Sequence, residues 1–141
     1  MITRRKQASP EAEAEYTADV ALAAHFESLL DAARAAEQDF RRAQAAARPG
    51  DEVYPLAKKL DGALTDAMRA AYAAQRAEIG PLGYDDRIYR RKAKAKSAVH
   101  TWTDEAERLL TLRETHRLTG MPPAPRNDLP DSTVVTHVPA A

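Results

Sequence analysis

The 141-residue chain has no cysteine, so thiol catalysis, disulfide staples and Cys-ligated zinc are excluded, although reducing and oxidising compartments suit it equally. Glycine is scarce at five residues, and Gly80-Pro81-Leu82-Gly83 fits neither the dinucleotide fingerprint nor the Walker pattern, so it reads as a turn. Large apolar residues are also few: Leu, Ile, Val and Phe together number 23, against 30 alanines, which predicts a thin core. No apolar run approaches the ~20 residues that span a bilayer, and only Met1 and Ile2 precede Arg4, Arg5 and Lys6. Neither a membrane helix nor a secretory leader is expected, and the chain reads as cytoplasmic or as part of a virion particle. Nor is there an excess of one charge, since 21 Lys and Arg balance 21 Asp and Glu. That balance lacks the overall basic footprint of a dedicated nucleic-acid binder.

What the chain has is alanine, the best helix former, punctuated by proline and glycine at a few points. Ser9-Pro10-Glu11 opens a helix, with a capping serine, a proline whose missing N–H is not needed, and acids at the positive end of the dipole. No breaker follows until Pro49-Gly50, which predicts one helix over 9–48, about 60 Å long at 1.5 Å per residue. A second helix is predicted over 51–79, with Pro55 among the first positions that need no N–H and Gly62 as a weak point. The third, over 85–119, starts at the cap candidates Asp85 and Asp86 and stops at Gly120 and Pro122-Pro123.

The apolar positions form seams at helical spacing. Leu22, Phe26, Leu29, Ala33, Ala36 and Phe40 line the first helix, Val53, Leu56, Leu60, Leu64, Ala67 and Ala71 the second, and Ile88, Ala95, Val99, Trp102, Ala106 and Leu109 the third. The short Pro49-Gly50 link implies an antiparallel hairpin onto which the third helix can fold back. The fold class expected is therefore all-α, a hairpin plus a third long helix forming a three-helix bundle or an extended coiled coil. Residues 9–120 make the helical domain, flanked by a basic arm over 1–8 and a Pro-rich arm over 121–141. Within the latter, the β-branched run holding Val134, Val135 and Val138 suits pairing with a partner's sheet edge, the alternative being a disordered tail.

Charge is unevenly placed. The stretch 9–48 carries −4 and 80–120 carries +3, so the first and third helices are electrically complementary. Arg87, Arg90, Arg91, Lys92, Lys94 and Lys96 put six bases in ten residues with no acid among them. Arg87, Arg90, Arg91 and Lys94 share one helical face and, with Arg4, Arg5 and Lys6, are candidates for contacts to phosphates or to an acidic partner, Tyr84, Tyr89 and Trp102 lying nearby. A solvated or protein-facing surface is the simpler reading, because net charge is zero.

Chemistry-bearing constellations are missing. His25, His100, His116 and His137 are scattered without metal-ligand spacing, and Ser9, Ser28, Ser97 and Ser132 lie in no nucleophile motif. His100 and Asp104 read as a surface pair, and Asp85 with Asp86 as caps rather than a paired acid site. The helices are too long for a helix-turn-helix reader, and there is no repeat of 20 to 50 residues. No enzyme activity, metal, cofactor or small-molecule substrate is expected. The layout points to a structural or adaptor protein that self-associates or binds protein partners through helix packing and arms. By analogy of layout, and from its Ala and Arg bias, it resembles a small virion or assembly protein of a tailed phage infecting a high-GC host. The alternative is a nucleic-acid-associated protein contacting phosphates through 87–96.

Overall fold

The computed structural model describes residues 6–123. Among them 84% are helical and none is in a strand, which makes the chain all-α. The described residues form six helices: α1 (Pro10–Ala23), α2 (Phe26–Ala45), α3 (Gly50–Ile79), α4 (Leu82–Asp85), α5 (Arg87–Ala93) and α6 (Ser97–Thr115), the last continued by a π-helical turn, His116–Gly120. Arg4, Arg5, Val134, Val135 and Val138 lie outside the described residues.

α3 is the central element, with α1, α2 and α6 packed along it. Direction follows from cross-helix contacts. Asp19 of α1 meets Arg76 near the end of α3, whereas His116, which touches Phe40 of α2, bonds the carbonyl of Ala57 near the start of α3. Likewise Gln75 of α3 reaches Thr103 of α6. So α2 and α6 run parallel to each other, and both antiparallel to α3. The main core gathers Phe26, Leu30, Ala33, Ala36 and Phe40 with Leu60, Leu64, Ala67, Met68 and Ala71, closed by Ala106 and Leu109. Alanines let the backbones approach and bury little area each, and the two large rings of α2 are braced edge-on, Phe26 by Trp102 and Phe40 by His116, both at 5.1 Å.

Four sequence expectations are corrected. The first predicted helix is not continuous: it breaks at Ala24 and His25, where the His25 N–H bonds back three residues to Leu22 and φ is −92°, with neither Gly nor Pro present. The break lets α1 follow a different face of α3 from the one α2 occupies. At its other end α2 stops at Ala45, because Ala47 takes a left-handed φ of 50° and closes a Schellman turn, Arg48 N–H to Ala43 and Ala47 N–H to Gln44. The third predicted helix is likewise divided, by the corner at Lys94, Ala95 and Lys96, and Lys96 is extended (ψ 139°). That corner folds around Ala93, buried with Ile79 and Val99 in a small second core, so Ile88, assigned to the seam, stands 66% exposed. Last, α3 already begins at Gly50, which places Pro55 in its second turn; Pro55 is exposed, so the Asp51 carbonyl that loses its donor faces water.

Between α3 and α4 the glycines are required. Gly80 ends α3 at φ 100°, in the left-handed region, and a Cβ on Gly83 would fall 2.5 Å from Cγ2 of Ile79.

Candidate interaction surface

The corner formed by α4, α5 and the 94–96 turn carries the basic segment singled out from sequence. It is held by polar contacts from three directions. Asp86 caps α5, its Oδ1 accepting the Ile88 and Tyr89 N–H groups at 3.0 Å, while its Oδ2 accepts from Lys6 Nζ at 2.6 Å. The Lys6 ammonium and those two amides hold the Asp86 carboxyl below the usual carboxylate range. Asp85 does not cap; it receives Ser9 N–H at 2.6 Å and Ser9 Oγ at 2.8 Å. Arg90 turns inward and donates to the Gly83 carbonyl at 3.0 Å.

These contacts sort the candidate bases. Lys6 and Arg90 are engaged within the fold, so of Arg87, Arg90, Arg91 and Lys94 it is Arg90 that turns its charge inward, while Lys94 caps α5. Arg87, Ile88, Arg91 and Lys92 share the outer side of α5, since 100° per residue puts them within about 140° of arc. Lys94 and Lys96 follow on the turn. All five bases of this surface are exposed, and among the described residues none has a carboxylate within 4.0 Å. Ile88 stands among them, and Tyr89 is 37% exposed beside it.

The expected pairing of the first and third helices takes a different form. The acids of α2 pair with bases of their own helix, Asp31 with Arg34, Glu37 with Arg41 and Asp39 with Arg42, on its solvated side. Asp19 of α1 pairs with α3, accepting Arg76 Nε at 2.8 Å and Nη2 at 3.1 Å, and accepts the Tyr84 hydroxyl as well. Burial alone would raise the Asp19 pKa; the bonds from Arg76 and Tyr84 and the Arg76 charge outweigh it and hold the carboxyl low. Burial and the Asp19 carboxylate push the Tyr84 hydroxyl up. Tyr84 and Trp102 are thus taken up by the fold, and Tyr89 alone of the three aromatics reaches the surface beside the bases.

Sequence reading missed a second polar cluster at the opposite end. Arg117, in the π-helical turn, forks onto Asp61 at 2.6 and 3.2 Å, and the buried His116 donates through Nε2 to Ala57 O at 2.8 Å. Arg117 holds the Asp61 carboxyl below its ordinary value. His116, seven residues after Leu109, continues the seam of the third helix, which was the available signal; Asp61 stands beside that of the second. His100 and Asp104 are an exposed pair at 3.6 Å, as expected for an i, i+4 couple. Among the described residues no three His, Asp or Glu side chains gather as metal ligands, and no helix is long and apolar enough to cross a membrane. The chain matches no protein-family model, no curated protein and no solved structure.

Proposed function

We propose that this chain is a non-enzymatic adaptor, a small helical bundle with arms that joins a larger assembly by docking the outer face of α5 on an acidic protein surface. The observation that carries the reading is the set of five bases, Arg87, Arg91, Lys92, Lys94 and Lys96, exposed around Ile88 with no carboxylate of the described residues within 4.0 Å. An isolated protein gains nothing by keeping Ile88 in water; covering it against an apolar side chain contributes roughly 1.5–3 kcal/mol. The surrounding bases would steer an acidic partner and fix its register. A small assembly protein of a tailed phage fits this layout, with the Ala and Arg bias in support.

The second reading keeps the same five bases and sets them on nucleic-acid phosphates. Ile88 favours the first, because a phosphate backbone offers it no apolar cover. Two probes separate them: a synthetic amphipathic helix with Glu and Leu at i, i+4 spacing, and a 20-base-pair DNA duplex, each titrated at low and physiological salt. Adaptor function predicts peptide binding that weakens about tenfold or more both in Arg87→Ala/Arg91→Ala/Lys92→Ala and in Ile88→Ser. Tighter binding to the duplex, with a steep salt slope and indifference to Ile88→Ser, would overturn it in favour of the second reading.

A further inference from the structure

Helix α1 is attached to the rest of the fold differently from α2, α3 and α6. Of its 14 residues only Ala12 is buried. Its less exposed side runs through Ala12, Tyr16, Asp19 and Ala23, a helical stripe whose third position, apolar in an ordinary seam, is a carboxylate. α2, in contrast, sinks Phe26, Leu30, Ala33, Ala36, Phe40 and Ala43 into the core it shares with α3 and α6.

What fastens α1 is polar at both ends. Its first turn is tied by Ser9 to Asp85, and its second half by Asp19 to Arg76 and Tyr84. The Ser9–Asp85 contact lies at the surface, while at the second clasp Arg76 is 44% exposed and Asp19 14%, so that pair is half-buried and holds α1 through a polar contact in place of an apolar one. Under the strap lies a covered patch of α3. Gly62, Asp66 and Arg69 mark a solvent-facing side of α3, yet Ala73, next in the same register, is fully buried at the end where α1 packs. The break at Ala24 and His25 supplies the point about which α1 can move.

The geometry points to α1 as a strap that opens as a unit, uncovering the Ala73 end of α3 while α2, α3 and α6 stay folded. The physical basis is that opening forfeits one surface clasp, one half-buried clasp and the partial burial of Tyr16, Leu22 and Ala23, whereas separating α2 from α3 dismantles the main core. Opening also withdraws Ser9 from Asp85, at the foot of the basic corner, and it requires no particular partner at α5.

Hydrogen exchange followed by mass spectrometry on the full chain tests this, comparing amides of 12–23 with those of 60–74 in the wild type and in Asp19→Asn. The α1 amides should exchange about tenfold or more faster than the α3 amides, and Asp19→Asn should speed α1 further while leaving 60–74 unchanged. Equal slow exchange of both segments in the wild type overturns the proposal, and so does an Asp19→Asn effect that accelerates both alike. Should Asp19→Asn fail to fold, as judged by a red shift of the emission of Trp102, half-buried against Phe26, the wild-type comparison decides alone.

Discussion

Ala47 and Ala46 are neighbours with opposite expected responses to glycine. Ala47 ends α2 at φ 50°, and its N–H and that of Arg48 satisfy the carbonyls of Gln44 and Ala43, both at 3.0 Å. An L-residue in that region carries a steric cost of about 1–2 kcal/mol between its Cβ and the following carbonyl. Glycine removes the cost but adds roughly 0.5–1 kcal/mol of unfolded-chain entropy. Ala47 is exposed, so no packing is lost, and Ala47→Gly should stabilise the protein by about 0.5–1 kcal/mol. For a chain of 141 residues that raises Tm by about 2–4 °C. One position earlier, Ala46 has φ −83° and is equally exposed, so Ala46→Gly adds the entropy and relieves nothing; Tm should fall by a similar amount. Thermal unfolding of the two variants beside the wild type, followed by far-UV circular dichroism, reads the sign directly. If both variants lose the same few degrees, the turn closing α2 is not left-handed at Ala47 and the reasoning fails.

Two further perturbations probe the core and the ion pairs. Leu109, 1% exposed where α6 meets α3, should cost about 2–5 kcal/mol as Leu109→Ala, read as a lower urea midpoint at constant m; a loss under 1 kcal/mol would show that α6 is not packed there. Asp19, Asp61, Asp86 and Glu105 all have folded-state pKa values below their ordinary ones, so each stabilises the fold above the unfolded carboxylate range and loses that contribution as pH falls through its folded value. Denaturation midpoints should therefore drop steadily from about pH 5 downward, and a flat profile to pH 3 would contradict the clasp geometry.

How much of this was legible in the sequence depends on which residues carried the information. The seams of α2 and α3 could be read because their apolar positions repeat at helical spacing, and Phe26, Phe40, Leu60 and Leu64 are where the count put them. The Ser9 cap and the Asp86 cap were equally readable, each being a short polar side chain ahead of a helical run. The breaks at His25 and at Lys94 to Lys96 were not, since neither contains Gly or Pro and both arise from packing: α1 follows its own face of α3, and the chain turns about Ala93. The all-helical character of residues 6–123 was thus within reach, and the division of two long helices into four was not. At the candidate surface, composition located the bases, but only the fold shows that Arg90 is spent on Gly83 and Lys6 on Asp86. Asp19 with Arg76, and Asp61 with Arg117, are separated by 57 and 56 residues, and pairing at that distance has no local signature.

Asp86 serves two structures with one side chain: one oxygen holds the first turn of α5, and the other holds Lys6, three residues before the strap's own cap at Ser9. By thermodynamic reciprocity, a molecule that steadies the first turn of α5 favours engagement of Lys6 by the factor through which Lys6 favours that molecule's binding. The factor is small, because the Lys6 side chain stays 65% exposed. It is nonetheless a wire between the two ends of the device: occupancy at the basic corner can be read out as amide protection in α1, without a label on the partner.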